Sequence, residues 1–221
     1  SRTVQKCSLW AIRRQKSMSD IEQQEPKASP DQTEALNGEA VTRHPVSLRL
    51  IHWITALIMI WMIGSGLLLG FLGFGGVREM FGGDATNLIY KYHKTFGVVI
   101  LGLVVIRLIT KYTRPRPAEL ETLPKSQQLI ASAVHVMLYV LLIGMPVLGW
   151  MATAAGGFPV EFFNLTLPGL IDKDRDLSVL LFNLHWYGGW VFVVLIGMHV
   201  SAGLFHRFIK RDGVFRRISL P

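Results

Sequence analysis

The chain has 221 residues, half of them hydrophobic and only 17% charged, a balance that excludes an ordinary soluble globule. Its net charge of +8 is divided among separate basic segments, which argues against nucleic acid as the partner. The single cysteine, Cys7, excludes an internal disulfide.

The first 43 residues form a polar arm. Up to residue 40 it is dominated by Gln, Glu, Pro, Ser and Asp and has no apolar period, so it is expected to be disordered. Its first part, through Ser19, has Arg, Lys and Ser but no acid, as transit peptides do; Met18 is an alternative native start.

From residue 44 the chain reads as one domain. Residues 50–77, 126–160 and 177–206 contain no Asp, Glu, Lys or Arg, and each is long enough for the roughly 20 residues that a membrane span requires. Residues 95–110, interrupted by Arg107 alone, supply a fourth span. The pattern predicts an all-α integral membrane protein, a four-helix bundle with helices at about 48–71, 92–112, 127–151 and 179–208. A glycine-rich outer turn is expected over 70–83, and the prolines at 115 and 117 end the second helix. Pro146 lies near the outer end of the third, and an irregular outer loop follows over 152–177.

Seventeen Lys and Arg fall in the first 49 residues, the 111–125 segment and the tail from Arg207, against five on the other side. This asymmetry puts both termini in the cytoplasm, or the equivalent compartment, with the spans surrounded by lipid.

The chemistry is carried by histidines. His52 sits near the inner end of the first helix and His93 at the outer end of the second. On the fourth helix His185 is outer and His199 inner. Their 14-residue separation is about four turns less 40°, which puts them on nearly one face roughly 21 Å apart. Matching by depth pairs His52 with His199 and His93 with His185. Two haems b, each held by two imidazoles between facing helices, would suit electron transfer better than oxygen binding. His135 is placed about 12 Å from the inner boundary, between the two haem levels, as a buried hydrogen-bonding residue or substitute ligand. His44 and His206 read as solvated residues of the inner interface.

Gly97, one turn after His93, and Gly197, before His199, would admit a flat macrocycle or simply favour helix packing. Arg49, Arg107 and Arg207 near the inner haem, with Lys91 and Lys94 near the outer one, are candidate partners for haem propionates, or snorkelling residues. Lys94 could also draw a small anion to the outer haem. Trp53, Trp61, Trp150, Trp186 and Trp190 suit an aromatic belt.

The stretch IHW at 51–53, HKTFG from His93, MPVLGW from Met145, FNLTLP from Phe163, LH at His185 and IGMH ending at His199 resemble the bacterial cytochrome b561 family from about Pro45 onward. The resemblance implies a diheme four-helix membrane protein with His52, His93, His185 and His199 as metal ligands. One type in this family is a superoxide oxidase, which passes electrons from superoxide through its haems to ubiquinone; under that reading Lys91 and Lys94 guide superoxide to the outer haem. A related type is the cytochrome b subunit that anchors a hydrogenase or formate dehydrogenase and reduces quinone, whose redox partner is another protein. The polar arm and the long segment over 72–90 depart from the compact family pattern.

Overall fold

The computed structural model describes residues 43–114 and 124–220; the polar arm through residue 42, with Cys7 and Met18, lies outside them. Four long helices dominate: α1 (Val46–Phe81), α2 (Gly83–Thr113), α3 (Lys125–Ala155) and α4 (Arg175–Phe205). Each is long and apolar enough to cross a membrane. A π-helical turn, His206–Lys210, and a 3-10 turn, Phe215–Arg217, follow α4.

Local chemistry explains the boundaries. Arg114 is extended (φ −106°, ψ 149°), as a residue before proline prefers, so α2 stops there. Asp174 caps α4 by accepting from the Leu177 N–H at 3.0 Å, and Asp176 adds negative charge to the first turn. Within the spans, hydroxyls are satisfied by their own helix: Thr55 donates to the Ile51 carbonyl and Thr153 to that of Gly149, both at 2.7 Å. Such internal pairing is required where water is absent.

α1 packs on α2 and α4, and α3 on α2 and α4. Leu138, Met145 and Phe192 form the buried core, with Met59, Leu142 and Leu195 against them. Many large apolar side chains point outward, Leu57 and Ile60 among them, as lipid-facing surfaces require.

The glycine-rich turn expected over 70–83 is helical instead. α1 continues to Phe81 with one break at Gly73 (φ 63°), and the reversal is confined to Gly82 (φ 82°). Only these two adopt the left-handed region there that glycine tolerates; the other glycines simply extend the helix. α2 therefore begins at Gly83 rather than near 92. The loop expected over 152–177 is also more ordered: Val160–Phe162 (β1) and Leu165–Leu167 (β2) form an antiparallel hairpin pairing Val160 with Leu167. At the other end of the bundle, the segment after α4 folds back onto the start of α1. These are called here the hairpin end and the tail end.

Candidate functional site

Two histidine pairs face each other across the bundle. At the tail end the rings of His52 on α1 and His199 on α4 have centroids 6.1 Å apart with planes at 79°. At the hairpin end His93 on α2 and His185 on α4 stand 6.3 Å apart at 74°. The structure thus brings together the pairs that matching by depth selects.

The hairpin-end rings are oriented by their far nitrogens. Ser65 donates its hydroxyl to the Trp61 carbonyl at 2.7 Å, so its oxygen is left to accept from Nδ1–H of His93 at 2.8 Å. His185 lies 3.1 Å from the Met145 carbonyl oxygen; a carbonyl only accepts, so its Nδ1 also carries the proton. Both Nε2 atoms keep a free lone pair, as a metal ligand must.

Two glycines that the sequence did not single out make room for these rings. A Cβ on Gly149 would stand 3.1 Å from Cε1 of His185, and one on Gly66 3.3 Å from Cε1 of His93. Gly97 is buried, but a Cβ there would meet only Met62, at an ordinary 3.8 Å. Gly197 has nothing within 4 Å of its missing Cβ. No local signal marks Gly66 or Gly149, since their role is set by the facing helix.

A cavity of about 1430 Å³ opens at the hairpin end, lined by His93, His185, Gly66, Gly97, Gly149 and Lys91 among others. The β-hairpin is fastened over α2 beside it. Lys94 Nζ meets the Glu161 carboxylate at 2.8 Å and donates to the Pro159 carbonyl at 2.9 Å. Thr95 donates to the Glu161 carbonyl at 3.2 Å and accepts from the Phe163 N–H at 3.2 Å. Lys94 is therefore committed to the hairpin and its charge is matched, whereas Lys91 reaches only the neutral Asn164 side chain, at 3.5 Å.

At the tail end a third histidine joins. The His135 ring lies 5.1 Å from that of His199, at the level of the tail-end pair rather than between the two pairs. The physical reason is helix register: α3 starts at Lys125, while the helical turn after α4 runs on to Lys210, so the two histidines are ten and eleven residues from that end. Beside them Arg107 donates to the Tyr139 hydroxyl at 3.0 Å, and Lys111 lies over the Tyr139 ring. Arg49, one turn before His52, is only 7% exposed. His44 and His206 are less solvated than expected: the His44 N–H donates to the Arg217 carbonyl at 3.0 Å, and His206 pairs with Asp212.

The donor set fits a haem at each level. Imidazole nitrogens bind a metal ion at about 2 Å, so rings with centroids near 6 Å leave room between them for one ion and a flat macrocycle. The glycine cradle and the cavity provide that room at the hairpin end.

Four membrane-spanning helices with imidazoles paired across the bundle are the architecture of membrane cytochromes that carry electrons between the two faces of a bilayer. The chain belongs to the prokaryotic cytochrome b561 family, whose model matches residues 43–219. It is 28% identical to cytochrome b561 homolog 2 of Escherichia coli K12 over 177 residues, covering 80% of this chain and 90% of that one. It is 26% identical to homolog 1 of the same organism over 168 residues, 76% and 92% of the two chains. A probable superoxide oxidase, CybB of Yersinia pestis, is 26% identical over 171 residues, 76% and 90%. Membership brings with it haem b and transmembrane electron transfer.

Proposed function

We propose that this chain holds two haems b in series, one between His52 and His199 and one between His93 and His185, and passes single electrons from superoxide at the hairpin end to ubiquinone. The observation that carries the reading is the pair of opposed imidazole couples, 6.1 Å and 6.3 Å between centroids, at opposite ends of one bundle. Arg49, three residues before His52, and Arg107, whose charge acts on both tail-end rings, are the candidate cations for that haem's propionates. In this reading the tail end faces the cytoplasm, on the positive-inside bias, in the inner membrane.

Bound haem iron supplies a one-electron couple and, with two histidine ligands, has no open position for oxygen. The protein residues do the rest. Ser65 and the Met145 carbonyl hold the hairpin-end imidazoles in one tautomer. The hairpin is tied down beside that pair through Lys94 and Glu161. Of the two candidate lysines, Lys91, which reaches the neutral Asn164 side chain, is the one left to attract an anion such as superoxide. Each superoxide gives up one electron to become dioxygen; ubiquinone takes two electrons and two protons to become ubiquinol.

A second reading, the quinone-reducing anchor of a hydrogenase- or formate-dehydrogenase-like complex, is favoured by one feature. Phe71 and Met80, 66% and 61% exposed near the hairpin end of α1, offer apolar surface to a redox partner protein.

A pyridine haemochrome assay on the purified chain, followed by rapid mixing with superoxide and a ubiquinone analogue, separates these. Two haems b with fast reduction are expected; two haems indifferent to superoxide would move the assignment to the anchor. His93→Ala or His185→Ala should remove one haem and His52→Ala or His199→Ala the other; a single substitution sparing both spectra would break the pairing.

A further inference from the structure

The segment after α4 is built into the tail-end site. The His44 N–H donates to the Arg217 carbonyl at 3.0 Å, Arg49 Nη1 to the Ser219 carbonyl at 2.8 Å, and Trp53 Nε1 to the Ile218 carbonyl at 2.9 Å. Phe215 packs edge-on against Trp53, with ring centroids 6.4 Å apart. Three successive residues of the tail thus grip the turns of α1 that carry His52.

Arg49 is the key residue. The residue is only 7% exposed, yet among the described residues its hydrogen-bond acceptor is the neutral Ser219 carbonyl and its Nε–H is buried with no partner. Burying an uncompensated charge costs several kcal/mol, so this arrangement calls for an anion. Among the described residues the tail end supplies almost none. Residues 43–50, 106–114, 124–125 and 206–217 hold eleven Lys and Arg but a single acid, Asp212, and that acid is engaged by His206. The hairpin end is different, with five Lys and Arg against six acids over 75–95 and 156–177. Arg49 is three residues from His52 and so shares its face of α1.

We propose that the C-terminal tail is part of the tail-end haem site: with Arg49 it forms a receptor for that haem's propionate carboxylate, and the positive charge gathered there sets this haem at a higher midpoint potential than its hairpin-end counterpart. This rests on the two-haem reading above. Cations stabilise the form carrying the extra electron, and they act strongly where the dielectric constant is low. The two ends therefore form a gradient that draws electrons from hairpin to tail.

The test is an optical redox titration of the purified holoprotein, after haemochrome analysis has counted its haems. The tail-end wave is identified in a His93→Ala protein, which keeps only that haem. Two separated waves are expected, the tail-end one higher. Arg49→Gln, and truncation after Val214, should each lower that wave and leave the other in place, whereas Arg49→Lys, which keeps the charge, should restore most of it. Loading with haem dimethyl ester, whose propionates are blocked, should mimic Arg49→Gln; if the anion were a lipid phosphate the ester would change nothing, and the propionate assignment would fall. Two haems with the tail-end wave lower, or unmoved by both Arg49→Gln and the truncation, would overturn the inference while leaving the two-haem reading intact. Fewer than two haems would overturn both.

Discussion

His185 donates Nδ1–H to the main-chain oxygen of Met145 across 3.1 Å, and it can approach α3 so closely because Gly149, one turn further on, has no side chain. A methyl group there would stand 3.1 Å from the ring. Gly149→Ala is therefore expected to turn His185 away and cost the hairpin-end haem, taking haem content down to about half, since losing the support of a metal ligand weakens binding by about 10–100-fold. Haemochrome analysis of the purified variant checks this.

Ser65 supports His93 in the same way. Ser65→Ala leaves the Nδ1–H buried without an acceptor, so haem affinity at that end should fall by about 10–100-fold. Ser65→Thr, which keeps the hydroxyl, should retain it. Competition for haem by a soluble acceptor protein, followed optically, measures the difference.

The planes of the paired rings are close to perpendicular, at 79° and 74°. Both oxidised haems are accordingly expected to give the strongly anisotropic low-spin signal of crossed imidazoles in electron paramagnetic resonance at low temperature. A conventional rhombic signal from either would mean that its rings lie parallel.

Gly70 and Trp186 set how closely α1 and α4 approach. A Cβ on Gly70 would lie 1.9 Å from the indole of Trp186, a ring that also packs on Phe71 and Trp190. Gly70→Ala should destabilise the bundle by about 1–3 kcal/mol, the usual cost of overpacking, seen as a lower thermal midpoint in detergent. Adding Trp186→Leu should recover part of the loss by removing the clashing ring.

His44, just before the first span, gives the tail contact a pH dependence. Burial, then the positive charges of Arg217, Arg107 and Lys111 and the nearby His135, hold its imidazole below the ordinary value of 6.5. The unfolded chain then takes up this proton more readily than the folded one, so stability is full above about pH 6.5 and declines as pH falls toward the lowered value. The thermal midpoint should drop between pH 7.5 and 5.5 by less in His44→Gln than in the parent.

The four spans were legible because uncharged runs of the right length have few alternative explanations. The pairing of His52 with His199 and His93 with His185 was legible because a 14-residue spacing fixes one face and two depths. The course of 70–83 was not: its glycines signal a turn, yet only Gly73 and Gly82 use the freedom that glycine has. His135 was misplaced because its depth depends on where α3 begins relative to the end of the turn after α4. The grip of the tail on α1 is invisible in sequence, since the groups that Arg49 and Trp53 bind are main-chain carbonyls of Ser219 and Ile218. Lys94 stood out as a free cation because nothing near it in the chain announces Glu161.

The unbroken run of α1 from Val46 to the Gly73 kink already spans about 42 Å, and its continuation with α2 reaches further still, against a hydrocarbon layer about 30 Å thick. His52 lies six residues from one extremity of α1, whereas His93 is ten residues, about 15 Å, below the tip of α2. The two histidine pairs therefore lie at unequal depths below their ends of the bundle: His52 is about 9 Å from the tip of its helix, and His93 is set deeper, at the cavity beside the β-hairpin. Under the proposed function a donor at the hairpin end would have to descend that cavity to reach its haem, whereas a quinone at the tail end would meet one close to the end of the bundle.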